Sequence, residues 1–172
     1  MFNPKKLTVL AVLAVFSSGC TVATKSDPTK NPPAPAAHGP TLASSINAAN
    51  AAIAHCLEHG QKGAAVSVVD AAGVLKVLLA ADGTSERGVL SSTNKAVTAL
   101  HFKTATSVLF KQKDTDPSLA EKLADHPHFN ARPGGVLLKD GEEIIGAIGV
   151  GGAKIDEECA LAGIDKITSR AK

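Results

Sequence analysis

From Thr41 onward the apolar residues switch between helical and strand-like spacing. Ile46, Ala49, Ile53, Cys56 and Leu57 recur at the period of a helix buried along one stripe, and Thr41 and Gly60 are suited to its two ends. The other side carries Ala48, Ala51, Ala52, His55 and His59 where a solvated face would carry charge. That small, weakly polar side is expected to contact a neighbouring subunit or a flat ligand. Apolar runs at 64–69 and 74–80 join through Asp70-Ala71-Ala72-Gly73 as a hairpin, and a second hairpin pairs 136–139 with 142–150 across Asp140-Gly141. Between them the pattern predicts helices over 90–102 and 104–111. A further helix is opened by Asp116-Pro117, a cap followed by proline at the first helical position, and is closed by His126-Pro127. A last helix starts near Asp156, with Asp156, Glu157 and Glu158 where the helix dipole favours acids. The order helix, hairpin, helices, hairpin, helix predicts an α/β domain of the α+β kind, an antiparallel sheet flanked by helices.

The first forty residues follow neither period. Lys5 and Lys6 precede an apolar run from Leu7 to Phe16, and Ser17-Ser18-Gly19-Cys20 follows. This is the layout of a secretory signal, too short to span a bilayer. With Cys20 directly after Gly19 it resembles a bacterial lipoprotein signal, in which that cysteine is lipidated. Residues 21–40 hold five of the nine prolines and one large apolar residue, Val22. Such a stretch buries too little to offset its ordering entropy and serves as a semi-rigid spacer. The expected organisation is therefore a signal peptide over 1–19, a lipidated cysteine and Pro/Ala-rich tether over 20–40, and a working domain over 41–172. The expected location is the cell envelope, as a periplasm-facing lipoprotein (on the outer membrane in a Gram-negative cell), touching the membrane through its lipid anchor alone.

Composition narrows the function. Of 172 residues, 18 are Lys or Arg and 16 are Asp or Glu, and removal of Lys5 and Lys6 with the signal leaves 16 against 16. A neutral chain lacks the electrostatic footprint of a polyphosphate binder. With no Trp or Tyr, and only Phe102, Phe110 and Phe129 beyond the signal, it also lacks a base-stacking platform. No nucleic-acid partner is expected.

The candidate chemistry is carried by histidines. His55 and His59 stand one helical turn apart, able to ligate a metal or to sit on a contact face, but in His-Cys-Leu-Glu-His the acid, Glu58, does not stand where a zinc-protease motif puts its base. His101 lies beside Val97 and Leu100 in a helix that also bears Lys95 and Lys103. His126 and His128 flank Pro127 in a loop, a setting that often carries function. The run from Gly146 to Gly152 lacks the Gly-Lys-Ser/Thr of a phosphate loop and reads instead as a strand whose glycines permit close backbone approach or a bulge. Cys56 and Cys159 are the only thiols besides Cys20; they either pair or remain as buried free thiols. No Gly-x-Ser-x-Gly elbow supports triad hydrolysis.

An ordered set of short motifs then points to a family. Ser67-Val68-Val69-Asp70-Ala71-Ala72-Gly73 with Val74-Leu75, Asp82-Gly83 and Lys95-Ala96-Val97-Thr98-Ala99 come first. Pro133-Gly134-Gly135-Val136, Asp140-Gly141, Ile145 to Gly152 and Asp156-Glu157 complete it. In this order, over about 45–165, they resemble the GlcG-like, HbpS-like haem-binding or haem-degrading family. Val150-Gly151-Gly152 stands where that family usually has Val-Ser-Gly. The resemblance implies a compact, profilin-like α/β domain that assembles into homo-oligomers. It also implies haem or a related tetrapyrrole as cofactor, and weak haem-degrading activity as the enzymatic expectation.

Applied to this sequence, the haem reading makes His55 and His101 the candidate iron ligands. The cofactor-binding set is then His55, His59, His101, Lys103 and Arg132, with lysines or Arg132 meeting the propionates. One rival is an enzyme or accessory factor for a small hydroxy acid, its carboxylate held by Arg132 and the 133–136 loop. The other is a structural oligomer without a cofactor, its histidine face an interface.

Overall fold

The sheet is assembled from two hairpins whose turns follow from single side chains. In the computed structural model, which describes residues 38–168, β1 (Ala65–Asp70) pairs antiparallel with β2 (Leu75–Ala80). Asp70 Oδ1 accepts from the backbone N–H of Ala72 and of Val74 at 3.0 and 2.9 Å, which folds the turn, and Gly73 takes its left-handed position at φ +79°. β3 (Gly135–Asp140) and β4 (Glu143–Gly151) pair across Gly141, at φ +58°. β1 also pairs antiparallel with β4, giving the order β2-β1-β4-β3. The signal segment, Cys20 and the tether up to residue 37 lie outside the described residues. The tether's last residues are described, and the Ala71 N–H donates to the His38 carbonyl at 3.2 Å.

Helices cover both faces. On one lie α1 (Leu42–Glu58) and α5 (Asp156–Thr168); on the other lies α2 (Glu86–Phe102), followed by α3 (Thr106–Gln112) and α4 (Pro117–Ala124). The predicted caps are in place. Thr41 accepts from Ser44 N, and Asp116 accepts from Leu119 N with Pro117 behind it. Val66, Val68, Ile148 and Val150 point from the sheet into the core under α1 and α5, whereas Val69 and Ala147 point toward α2.

The α2 side is packed through glycines. A Cβ on Gly149 would lie 2.1 Å from the Ser92 carbonyl oxygen, and one on Gly151 would lie 2.4 Å from that of Gly88. The helix backbone therefore rests directly on β4, the close approach read from the glycine run. Gly146, at φ +157°, supplies a bulge beside the β3–β4 register shift.

The face of α1 corrects the sequence reading. Ile46 and Leu57, expected in the buried stripe, are 37% and 44% exposed, while Ala48 and Ala52, expected on the outer side, are fully buried. Small side chains win because α1 crosses α5 closely: a Cβ on Gly163 would meet the Ala48 carbonyl at 2.8 Å. A disulfide between Cys56 and Cys159, with Cα atoms 5.5 Å apart, holds this face inward.

Candidate functional site

Two stretches distant in sequence, the loop at Gly134 and the segment from Val150 to Asp156, converge on the side chain of Lys95. It lies on the buried face of α2 with Ser92, Ala96 and Ala99 and is 2% exposed. A bare ammonium at such a place would be prohibitively costly, and it is not bare. Its Nζ donates to Asp156 Oδ2 at 2.5 Å and to the Val150 carbonyl at 2.9 Å. Asp156 Oδ1 accepts from the Ala153 N–H at 2.9 Å, closing the turn that enters α5. Gly134, at φ +126°, is required here, because a Cβ would come within 2.7 Å of Asp156 Cβ and 3.0 Å of Lys95 Nζ. The Thr106 hydroxyl then anchors the neighbouring Gly135 N–H at 2.8 Å.

Above this pair opens a groove of about 650 Å³. Its rim carries Arg132, Pro133 and Lys154 from two loops, Phe110 from α3, and Glu158 and Leu161 from α5. Glu157, in the same groove, accepts from the Ser107 hydroxyl at 2.6 Å. The sequence reading did not join Lys95 to Asp156. The signal that would have found the pair is a lysine at the helical position of buried alanines.

Apart from His38, whose Nδ1 bonds Glu143 Oε1 at 3.0 Å, the histidines fall into two groups on opposite faces of the sheet. His55 is half-buried on α1, its ring stacked on that of His59 at 4.1 Å between centroids. His59 Nδ1 donates to the His55 carbonyl at 2.8 Å. His55 borders a smaller groove of about 360 Å³ between α1 and α5, walled by the small side chains Ala51, Ala54 and Ala162, with Glu58, Asp165 and Lys166 at its edge. His101 lies at the far end of α2, on the other face. It packs against Phe102 and Phe129 at 4.9 and 4.7 Å, and His126 stacks on Phe129 at 4.1 Å. That loop is pinned by Asn130, whose N–H donates to the Thr98 hydroxyl at 2.8 Å and whose Nδ2 donates to the Ser91 hydroxyl at 3.0 Å. Lys103 is the exposed, left-handed C-cap of α2 at φ +53°.

Within one chain the structure therefore brings His55 together with His59 and packs His101 and His126 each on Phe129, but does not bring His55 to His101. Arg132 belongs to the groove over Lys95 and to neither histidine group. Lys95, taken from the sequence as a partner for a propionate beside His101, is instead committed to Asp156. Among the described residues no three His, Cys, Asp or Glu side chains are gathered as a metal site.

Comparison with known proteins bears on the fold and the family. No curated protein was matched by the sequence. Among solved structures, HbpS is 30% identical, with a TM-score of 0.68 over 77% of this chain and 93% of that one. A double mutant of Streptomyces reticuli HbpS is 28% identical, with a TM-score of 0.67 over 92% and 97%. The fold is shared as well by PduOC, solved as a complex with haem: 23% identity and a TM-score of 0.69 over 75% and 95%. The family described as haem degrading protein HbpS-like matches residues 41–165. The ordered motifs, the α+β fold and this match make the chain a member of the HbpS-like family.

Proposed function

We propose that this domain binds haem, or a related tetrapyrrole, on the face of α1 and α5 that carries His55. The observation that carries the reading is family membership across residues 41–165. The residues present fit the group. His55 offers an imidazole at the edge of a groove, and Ala51, Ala54 and Ala162 leave room for a flat ring to approach the two helix backbones. His59 stacks on His55 and is itself anchored to the helix, which restricts the orientation of the ligating ring. Lys166 is placed for a propionate. Bound haem would supply a redox-active iron, and the chain would supply the ligand, the apolar walls and the charge partner.

Titration of haemin into the protein tests this. A saturable, shifted Soret band that changes on His55→Ala and persists on His101→Ala is the expected result. A spectrum identical to free haemin at every ratio would overturn it. A spectrum altered by His101→Ala alone would move the site to the far end of α2, beside Lys103.

The same proposal extends to location, assembly and turnover. A place outside the cytoplasm is supported by the lipoprotein-type signal and by the Cys56–Cys159 disulfide, which suits an oxidising compartment. Metabolic acyl labelling lost on Cys20→Ala is the expected outcome. A homo-oligomer is supported by Leu42, Ile46 and Leu57, exposed along α1. Light scattering on the His55→Ala, His59→Ala double variant separates ligation from assembly: lost haem with an intact oligomer supports ligation. Weak haem degradation is expected as faster bleaching by peroxide than free haemin shows.

A further inference from the structure

The groove over Lys95 shares no residue with the His55 groove and has a chemistry of its own. Its floor is electrically spent, since Lys95 is bonded to Asp156 and to the Val150 carbonyl, and the second Asp156 oxygen is taken by Ala153 N–H. The charges able to meet a ligand stand on the rim. Arg132 and Lys154 are exposed and come from the loops before β3 and before α5. The hydrogen bond that seats Arg132 is made by its backbone N–H, to Asn130 Oδ1 at 3.0 Å. Beside it Phe110 and Leu161 are 40% and 49% exposed, and Pro133 continues that apolar wall.

The rim also selects among anions. Glu157 and Glu158 add negative charge at the same edge, which opposes a phosphate or any polyanion. A guanidinium holds a single carboxylate through two parallel hydrogen bonds, and the apolar wall rewards an apolar body attached to it. From these observations we infer that the groove binds a small monocarboxylate with an apolar body, of the kind of phenylacetate, at a site separate from the haem face. The Arg132 guanidinium takes the carboxylate, Lys154 adds to the attraction, and Phe110, Pro133 and Leu161 cover the body.

Equilibrium dialysis of the full chain against radiolabelled phenylacetate tests this. Saturable binding is expected, weakened about tenfold or more by Arg132→Ala, the loss expected for a hydrogen bond to a charged group, and only partly by Arg132→Lys. Arg132 is exposed, so these variants retain the fold. Phenylacetamide, the neutral isostere, is expected not to compete, and His55→Ala to leave the affinity unchanged. Absence of saturable binding, equal competition by phenylacetamide, or an unchanged affinity in Arg132→Ala each overturns the inference. Loss of binding in His55→Ala would place the acid on the haem face and overturn a separate site. Failure of the haemin titration leaves this outcome unaffected, since the two grooves have no residue in common.

Discussion

Lys95 and Asp156, 61 residues apart, form an ion pair in which the lysine side chain is 3% and the aspartate side chain 11% exposed. The pair ties the middle of α2 to the first residue of α5 through the end of β4, and so joins the two helical layers around one edge of the sheet. Its geometry positions the floor of the larger groove, and most of the family's short motifs pass through it.

Removing one partner leaves the other charge buried without compensation. Lys95→Ala or Asp156→Ala is expected to lower stability by about 3–5 kcal/mol. The double replacement Lys95→Met, Asp156→Leu is expected to recover a large part of that loss. Urea denaturation of the three variants checks this, and equal losses in all three would show that the charge pairing is not what matters there.

The disulfide closes a loop spanning a sequence separation of 103. Constraining so long a segment of the unfolded chain is expected to contribute about 4 kcal/mol. Cys56→Ala with Cys159→Ala should lower the denaturation midpoint accordingly, and thiol titration of the unfolded, unreduced wild type should find neither cysteine reactive.

Gly149→Ala is expected to be among the most damaging single changes. The new methyl would meet the Ser92 carbonyl at 2.1 Å and the Ala96 nitrogen at 2.6 Å, both helix backbone. Neither can move without lifting α2 from the sheet, so a loss of about 3 kcal/mol is expected. Thermal unfolding reads it directly. Gly141→Ala, where nothing lies within 4 Å of the added Cβ, is expected to cost only its left-handed backbone preference, about 1 kcal/mol.

The α1–α5 groove offers a substitution that separates binding from folding. Ala54 is exposed and lines that groove. Ala54→Trp is expected to fill the space and weaken haemin binding about tenfold or more, a change of roughly 1.4 kcal/mol, while stability stays within about 0.5 kcal/mol. Unchanged haemin affinity would remove the groove from consideration.

Local rules made much of the fold legible in the chain. Asp70 and Gly73 dictate the first turn, Asp140-Gly141 the second, Thr41 and Asp116-Pro117 two helix starts, and Asp156 the beginning of α5, because each acts on backbone within a few residues of itself. The glycines of β4 likewise announced close approach, although not which helix would approach.

The face of α1 could not be read in the same way. By size, Ile46 and Leu57 belonged inside. Only the nearness of α5, with Gly163 against Ala48 and Cys56 bonded to Cys159, makes the small residues the buried ones. The candidate sites divide similarly. The residue types, His55 with His59 and the exposed Arg132, were visible at their positions.

By itself the sequence determined the elements, their turns and the family, since those depend on short-range backbone preferences and on the order of motifs. The tertiary structure alone decided that His55 and His101 face away from each other, that Lys95 is committed to Asp156, and that Arg132 overlooks a groove of its own. These relationships join residues tens of positions apart, and it is the packing of helices on both faces of one sheet that sets which of them meet.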